Sequence, residues 1–350
     1  MRATPEERAT PGDDVLDESL SRLAATGPEF GGGLSNHGPM AAEALVRLGR
    51  AGDVEPWLDG YVKRLDEAPR PAGRITDWRE ALGHLNRVAE WELYFRDQLA
   101  DASWQDVLAR WWPRLLPGLA AAATHGVIRT SHAARSLAAA ETTEREAELA
   151  RGLAYWAASY LALPGDSRTR GELDLAAAVN GLPVASREPA PGLITEVLKA
   201  ALADDARFPA AVGALRPPSD AGTGLRDLAT TFSRIFLVYG RQRPVALLHA
   251  VTAPVAARSV LPLLPAELAR PTHDALWQVA AALYIVYAGG VVPEPGPAVS
   301  PPDPDALADR AVATGDAHAI KLTEACLRLY AESPDPVLLH AAARGCELLG

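Results

Sequence analysis

Cysteine, methionine, cationic charge and every familiar cofactor signature are scarce in this chain. Two cysteines, Cys326 and Cys346, stand in 350 residues. Two thiols cannot build a disulfide framework and offer no zinc spacing, which points to a reducing, cytoplasmic compartment. Lysine and arginine number 34 against 44 acidic residues, a formal charge of −10. Nucleic acid and anionic membrane surfaces are therefore poor partners, because holding phosphates takes clustered cations. Residues 1–19 are acidic, punctuated by proline and glycine, and contain no apolar run of the signal-peptide kind. One charge-free stretch, 275–292, is barely long enough to span a bilayer. Its glutamine, glycines and many alanines suit a buried core helix better.

Runs of β-branched residues bounded by turns are also few, whereas alanine, leucine and arginine abound. That is the composition of helices, and hydrophobic residues at 48% give ample core. Helical periodicity covers 40–48, 77–98, 104–119, 130–140, 143–163, 193–202, 219–238, 244–263, 272–287, 305–312, 317–332 and 336–348. Thr142, followed by Glu144 and Glu146, marks a helix start, and Pro334 with Pro336 separates the last two helices. Loops are expected at 166–170, 187–192 and 292–304. No repeat of fixed period emerges. The expectation is an all-α fold: a flexible acidic segment, 1–20, then one large multi-helix domain, 21–350, around a buried histidine-lined cavity. The eight tryptophans sit mostly at helical spacing, as core residues do.

No Walker loop, His-Glu-x-x-His or Gly-x-Ser-x-Gly occurs, and Gly31-Gly32-Gly33 does not develop into a dinucleotide fingerprint. The eight histidines are then the main candidates for chemistry, since imidazole binds transition metals and titrates near neutrality. His37 follows Asn36 in a turn and precedes Gly38-Pro39 at a helix start. His125 and His132 are seven apart, about 10.5 Å along a continuous helix, too far for one ion. This favours His125 as a ligand with His132 lining the pocket or supporting a ligand, unless Gly126 breaks the helix. His318 and Lys321 are neighbours on one helical face. His249 lies on an apolar helix and needs a partner. His273 falls near a helix N-terminus. Glu43 and Glu324 lie beside these motifs and are placed to orient rings.

Four segments carry a resemblance: Asn36-His37-Gly38-Pro39, His125-Gly126-Val127-Ile128, the surroundings of His249, and His318-Ala319-Ile320-Lys321-Leu322-Thr323. In order and wide spacing, from about 34 to 332, they resemble the questin oxidase-like family. The resemblance implies oxidative opening of anthraquinone-type polyketide rings, described either as NADPH-dependent Baeyer–Villiger oxygenation or as dioxygenation. Some members resemble non-haem iron enzymes whose metal is held by four histidines and a carbamylated lysine. Carried over, His37, His125 and His318 match ligands, His249 is the choice for the fourth with His132 and His273 as competitors, and Lys321 matches the carbamylated lysine. Asn36 is expected to support the site.

The reading that follows is an Fe(II)-dependent oxygenase acting with O2 on a planar, partly phenolic aromatic, in an apolar pocket walled by tryptophan and tyrosine. Arg129, one turn from His125, would hold a phenolate or carboxylate. NADPH is a candidate co-substrate. Two alternatives stand beside it: a metal-free NADPH-dependent monooxygenase using His37 or His125 as base on a phenol, and a non-catalytic helical ligand-binding scaffold.

Overall fold

Helices α1 (Pro11–Leu23), α2 (Gly38–Arg47), α3 (Val54–Tyr61), α4 (Trp78–Ala81), α5 (Val88–Asp101), α6 (Trp104–Leu115), α7 (His125–Ala139), α8 (Thr143–Ala158) and α9 (Leu175–Asn180) form the first part of the chain. They are followed by α10 (Ile194–Leu202), α11 (Arg207–Gly213), α12 (Ala221–Tyr239), α13 (Pro244–Val260), α14 (Ala269–Tyr287), α15 (Pro304–Thr314), α16 (Ala317–Glu332) and α17 (Pro336–Leu349). These coordinates are a computed structural model and describe residues 11–296 and 300–350. The only strands among them are β1 (Glu29–Phe30) and β2 (Leu34–Ser35), an antiparallel hairpin pairing Glu29 with Ser35. The fold is all-α.

The N-terminal expectation needs correcting. Residues 11–20 are not a flexible tail but most of α1, whose Leu16 and Leu20 are buried against α2. The buried Arg145 guanidinium on α8 clasps its Asp13 and Asp17. Residues 1–10 of the expected tail lie outside the described residues. The stretch 77–98 is also not one helix: it breaks after α4, where Gly83 takes a φ of +75°, and resumes at α5. By contrast α7 is longer than expected, because Gly126 does not break it. A Cβ there would lie 2.8 Å from the Trp156 backbone, so glycine lets α7 and α8 approach closely.

Helix ends follow their sequence signals. Asp316 caps α16 by accepting from the backbone N–H groups of His318 and Ala319, and Thr142 caps α8. Most of the stretch 275–292, up to Tyr287, is buried in α14, as expected of a core helix, whereas Val292 beyond the helix end is exposed. The segment Pro244–Leu263, spanning α13, is long and apolar enough to cross a membrane, and 72% of it is buried within the fold. That burial is the mark of a core helix. Most tryptophans likewise serve the core: Trp91, Trp111, Trp112, Trp156 and Trp277 are fully buried. Trp78, Trp91 and Phe95 each meet Trp111 edge to face, a favoured aromatic geometry.

Helix α13 packs against α7, α12, α14 and α16, and α2 packs against α7 and α16. The consequence matters for function. His37 is the N-cap of α2, His125 opens α7, His249 lies in the second turn of α13 and His318 is the second residue of α16. Four mutually packed helices thus bring their N-terminal turns to one place.

A candidate metal centre

The four imidazoles meet. His37 stacks on His125 with ring centroids 4.6 Å apart and meets His318 edge-on at 4.2 Å. His249 closes the group, 4.5 Å from His125 and 5.7 Å from His318. One ligand atom from each of His37, His125 and His318 lies within 4.8 Å of the others, so these three can hold a metal ion. The Nε2 atoms of His125 and His249 are 3.2 Å apart. Two nitrogens about 2.1 Å from a shared ion, roughly at right angles, stand about 3 Å apart.

The surroundings orient these rings. His125 Nδ1 lies 2.5 Å from the Ala122 carbonyl, and His318 Nδ1 lies 3.5 Å from Asp316. With Nδ1 occupied, Nε2 is left to face the cluster. His37 is held through its backbone, whose N–H donates to the Tyr61 hydroxyl at 2.7 Å. The segment before His125 is strained: Ala122, Ala123 and Thr124 have φ of 45°, 54° and 74°. Left-handed backbone costs a non-glycine residue roughly 1–2 kcal/mol. Three such residues in succession aim the Ala122 carbonyl at the imidazole, strain of the kind that gathers at functional sites.

Charge is missing here. His37, His125 and His249 are buried, and burial, then the neighbouring bases, holds each well below the ordinary imidazole pKa. His318 is lowered by burial, partly offset by Asp316. Lys321 is 2% exposed and its Nζ has no hydrogen-bond partner. Burial brings it down to about 7. Four neutral imidazoles and an amine whose charge is lost near neutral pH therefore lie together, with Asp316 acting on His318 and Lys321.

Beside the cluster lies a cavity of about 880 Å³, mostly apolar, with all four histidines on its wall. Phe30, Tyr61, Tyr160 and Tyr287 supply its aromatic surface, together with Leu161 and Ile194. No tryptophan lines it among the described residues, so the expected tryptophan wall is replaced by tyrosine and phenylalanine.

Other expected site residues lie elsewhere. Arg129 does not reach the cavity: its guanidinium makes paired bonds of 2.6 and 2.9 Å to Glu148, with both side chains buried. His132 Nδ1–H donates to the Glu43 carboxylate at 2.8 Å, two turns below the cluster. His273 bonds Asp274, which ties the 166–170 loop to α14 through Thr169 and Arg270. Neither His132 nor His273 competes with His249 for the cluster. Asn36 supports the site only through the chain path: its amide bonds Thr26 and Gly27, and its oxygen accepts from the Gly38 N–H. Sequence reasoning passed over Glu29, Ser35 and Tyr61. Their one local signal was the Gly31-Gly32-Gly33 turn, all at positive φ, which folds β1 onto β2.

Compared with protein-family models and with curated proteins, the chain matches none.

Proposed function

We propose that the protein is a non-haem iron oxygenase of a planar, hydroxylated polycyclic aromatic compound, as the resemblance to questin oxidase-like proteins implies. The observation that carries this reading is the convergence of four neutral imidazoles on the wall of a large apolar cavity, with the buried, unpaired Lys321 amine close enough to act on all four. Such a donor set fits a divalent metal. Imidazole suits iron, and no thiolate stands nearby to favour softer ions: Cys326 is fully buried, and burial pushes its thiol up.

His37, His125, His249 and His318 would hold the ion. Lys321 would join them as a carbamate: its neutral Nζ attacks the carbon of CO2, an N–C bond forms, and one proton leaves to solvent. A carbamate is anionic where an ammonium would repel the ion. It would bring a divalent site to a net charge of +1 and satisfy the buried amine. The N-terminal dipoles of α2, α7 and α16 favour that anion. Iron, when bound, supplies a redox centre at which oxygen and an electron-rich ring can meet. Apolar walls exclude water from the reacting ring, and Phe30, Tyr61 and Tyr287 give it flat surfaces. The reduced, buried thiols Cys326 and Cys346 suit the cytoplasmic setting expected from cysteine usage.

Oxygen uptake by iron-loaded protein tests this reading, with hydroxyanthraquinones as substrates, with and without NADPH. Uptake with incorporation of oxygen into product, abolished in His318→Ala, is expected. Iron-loaded protein that consumes no oxygen with any polycyclic phenol contradicts it.

A further inference from the structure

Glu29 and Ser35 are direct partners across the β1–β2 hairpin, so their side chains leave the same face, and both line the cavity. Between them, from α8, comes Tyr155, which is fully buried. Its hydroxyl lies 2.7 Å from Ser35 Oγ and donates to Glu29 Oε1 at 2.9 Å. Buried hydroxyls of this kind fix what they touch. Only Oε1 of Glu29 is taken. Among the described residues, Glu29 makes no ion pair; its hydrogen bond comes from a neutral phenol.

A carboxylate on an apolar cavity wall, anchored on one oxygen and without a cation, is an acceptor whose second oxygen lacks a donor. Burial, opposed by the Tyr155 bond, raises its pKa, which suits a neutral donor rather than a metal or guanidinium. Glu29 is half-buried, and its second oxygen is not sealed inside the protein, so a ligand in the cavity can reach it. Resting on the oxygenase reading for the cavity's aromatic occupant, we infer that Glu29, anchored by Tyr155 and Ser35, selects substrates by accepting a hydrogen bond from a hydroxyl on the aromatic ring. The hairpin is thus the specificity element, and Arg129 acts only from behind it, its charge lying close enough to Tyr155 to influence that phenol.

The test compares binding of 2-hydroxyanthraquinone and 2-methoxyanthraquinone, followed by probe absorbance under anaerobic conditions, to the full chain and its variants. A hydroxyl-accepting site rejects an analogue that cannot donate. The native protein should favour the hydroxyl probe roughly ten- to hundredfold, the range supplied by a hydrogen bond to a charged acceptor. Glu29→Ala should bring the ratio near one, Glu29→Gln should restore part of it because an amide oxygen still accepts, and Tyr155→Phe should shrink it. Iron content should stay unchanged in all three. Equal binding of both probes, binding of neither, or a Glu29→Ala variant that still discriminates would each overturn the inference. Discrimination that persists in protein holding no iron would support it while refuting the oxygenase.

Discussion

Two sets of buried polar side chains, at the starts of helices α2, α7 and α16 and further along them, obey opposite rules. Toward the N-terminal ends are His37, His125 and Lys321; three to seven residues further on are Glu43, His132 and Glu324. The lower set is fully paired. Arg135 bonds both Glu43, at 2.9 Å through Nε, and Glu324, at 2.8 Å through Nη1. Arg47 and Arg328 add bonds of 3.0 Å each. Burial alone would raise the Glu43 carboxyl, yet Arg135 and His132 hold it well below the usual range. The upper set holds only bases, with a lysine amine left unpaired.

One fold therefore solves the burial of charge twice, with different outcomes. The lower network carries its counter-ions and locks three helices together. The upper cluster has donors without an acceptor, which is how a site looks when its stability is conditional on something it binds. Unpaired buried groups are rare enough in native proteins that each calls for a reason.

Substitutions sharpen this contrast. Glu43→Ala should cost about 3–5 kcal/mol, because it takes one of two carboxylates from Arg135 and the bonded carboxylate from His132; urea unfolding followed by circular dichroism would check it. A loss under about 1 kcal/mol would mean the network is not structural. Lys321→Met on the same helix bundle should do the reverse. With metal removed by chelation, it should leave stability unchanged or raise it by about 1–2 kcal/mol, since an unpaired amine gives way to an apolar chain of similar length. Marked destabilisation of that metal-free variant would show that Lys321 is paired after all.

The pH response of the lower network probes the same contrast. Burial would raise Glu324, but Arg135 and Arg328 bring it down from 4.5 to about 2. A depressed carboxylate contributes stability that is complete above its unfolded pKa and fades as pH falls toward the folded one. Unfolding free energy should accordingly drop between about pH 4.5 and pH 2, and Glu324→Gln should flatten that slope. A slope unaffected by the substitution would assign the acid sensitivity to other carboxylates.

Much of the helical frame was readable in sequence because apolar spacing and caps are local: α16 begins and ends as expected, from Ala317 to Glu332. Helix α1 was missed although Leu16, Leu20 and Leu23 repeat at helical spacing. Its acidic residues read as a solvated tail until Arg145, far along the chain, supplied their partner. Arg129 was misplaced for the same reason, since only folding brings Glu148 onto its guanidinium. His37, His125, His249 and His318 were found through short motifs, but their meeting depends on the packing of four helix starts. The left-handed turn at Ala122–Thr124 had no signal, because glycine or asparagine would ordinarily mark it.

Metal content tests the central claim most directly. The native protein, purified without chelator and supplied with Fe(II) anaerobically, should hold about one iron per chain by elemental analysis. Lys321→Ala and His318→Ala should lose it while keeping their helical signal. A well-folded native chain that takes up no iron under those conditions would contradict the metal site, and with it the oxygenase.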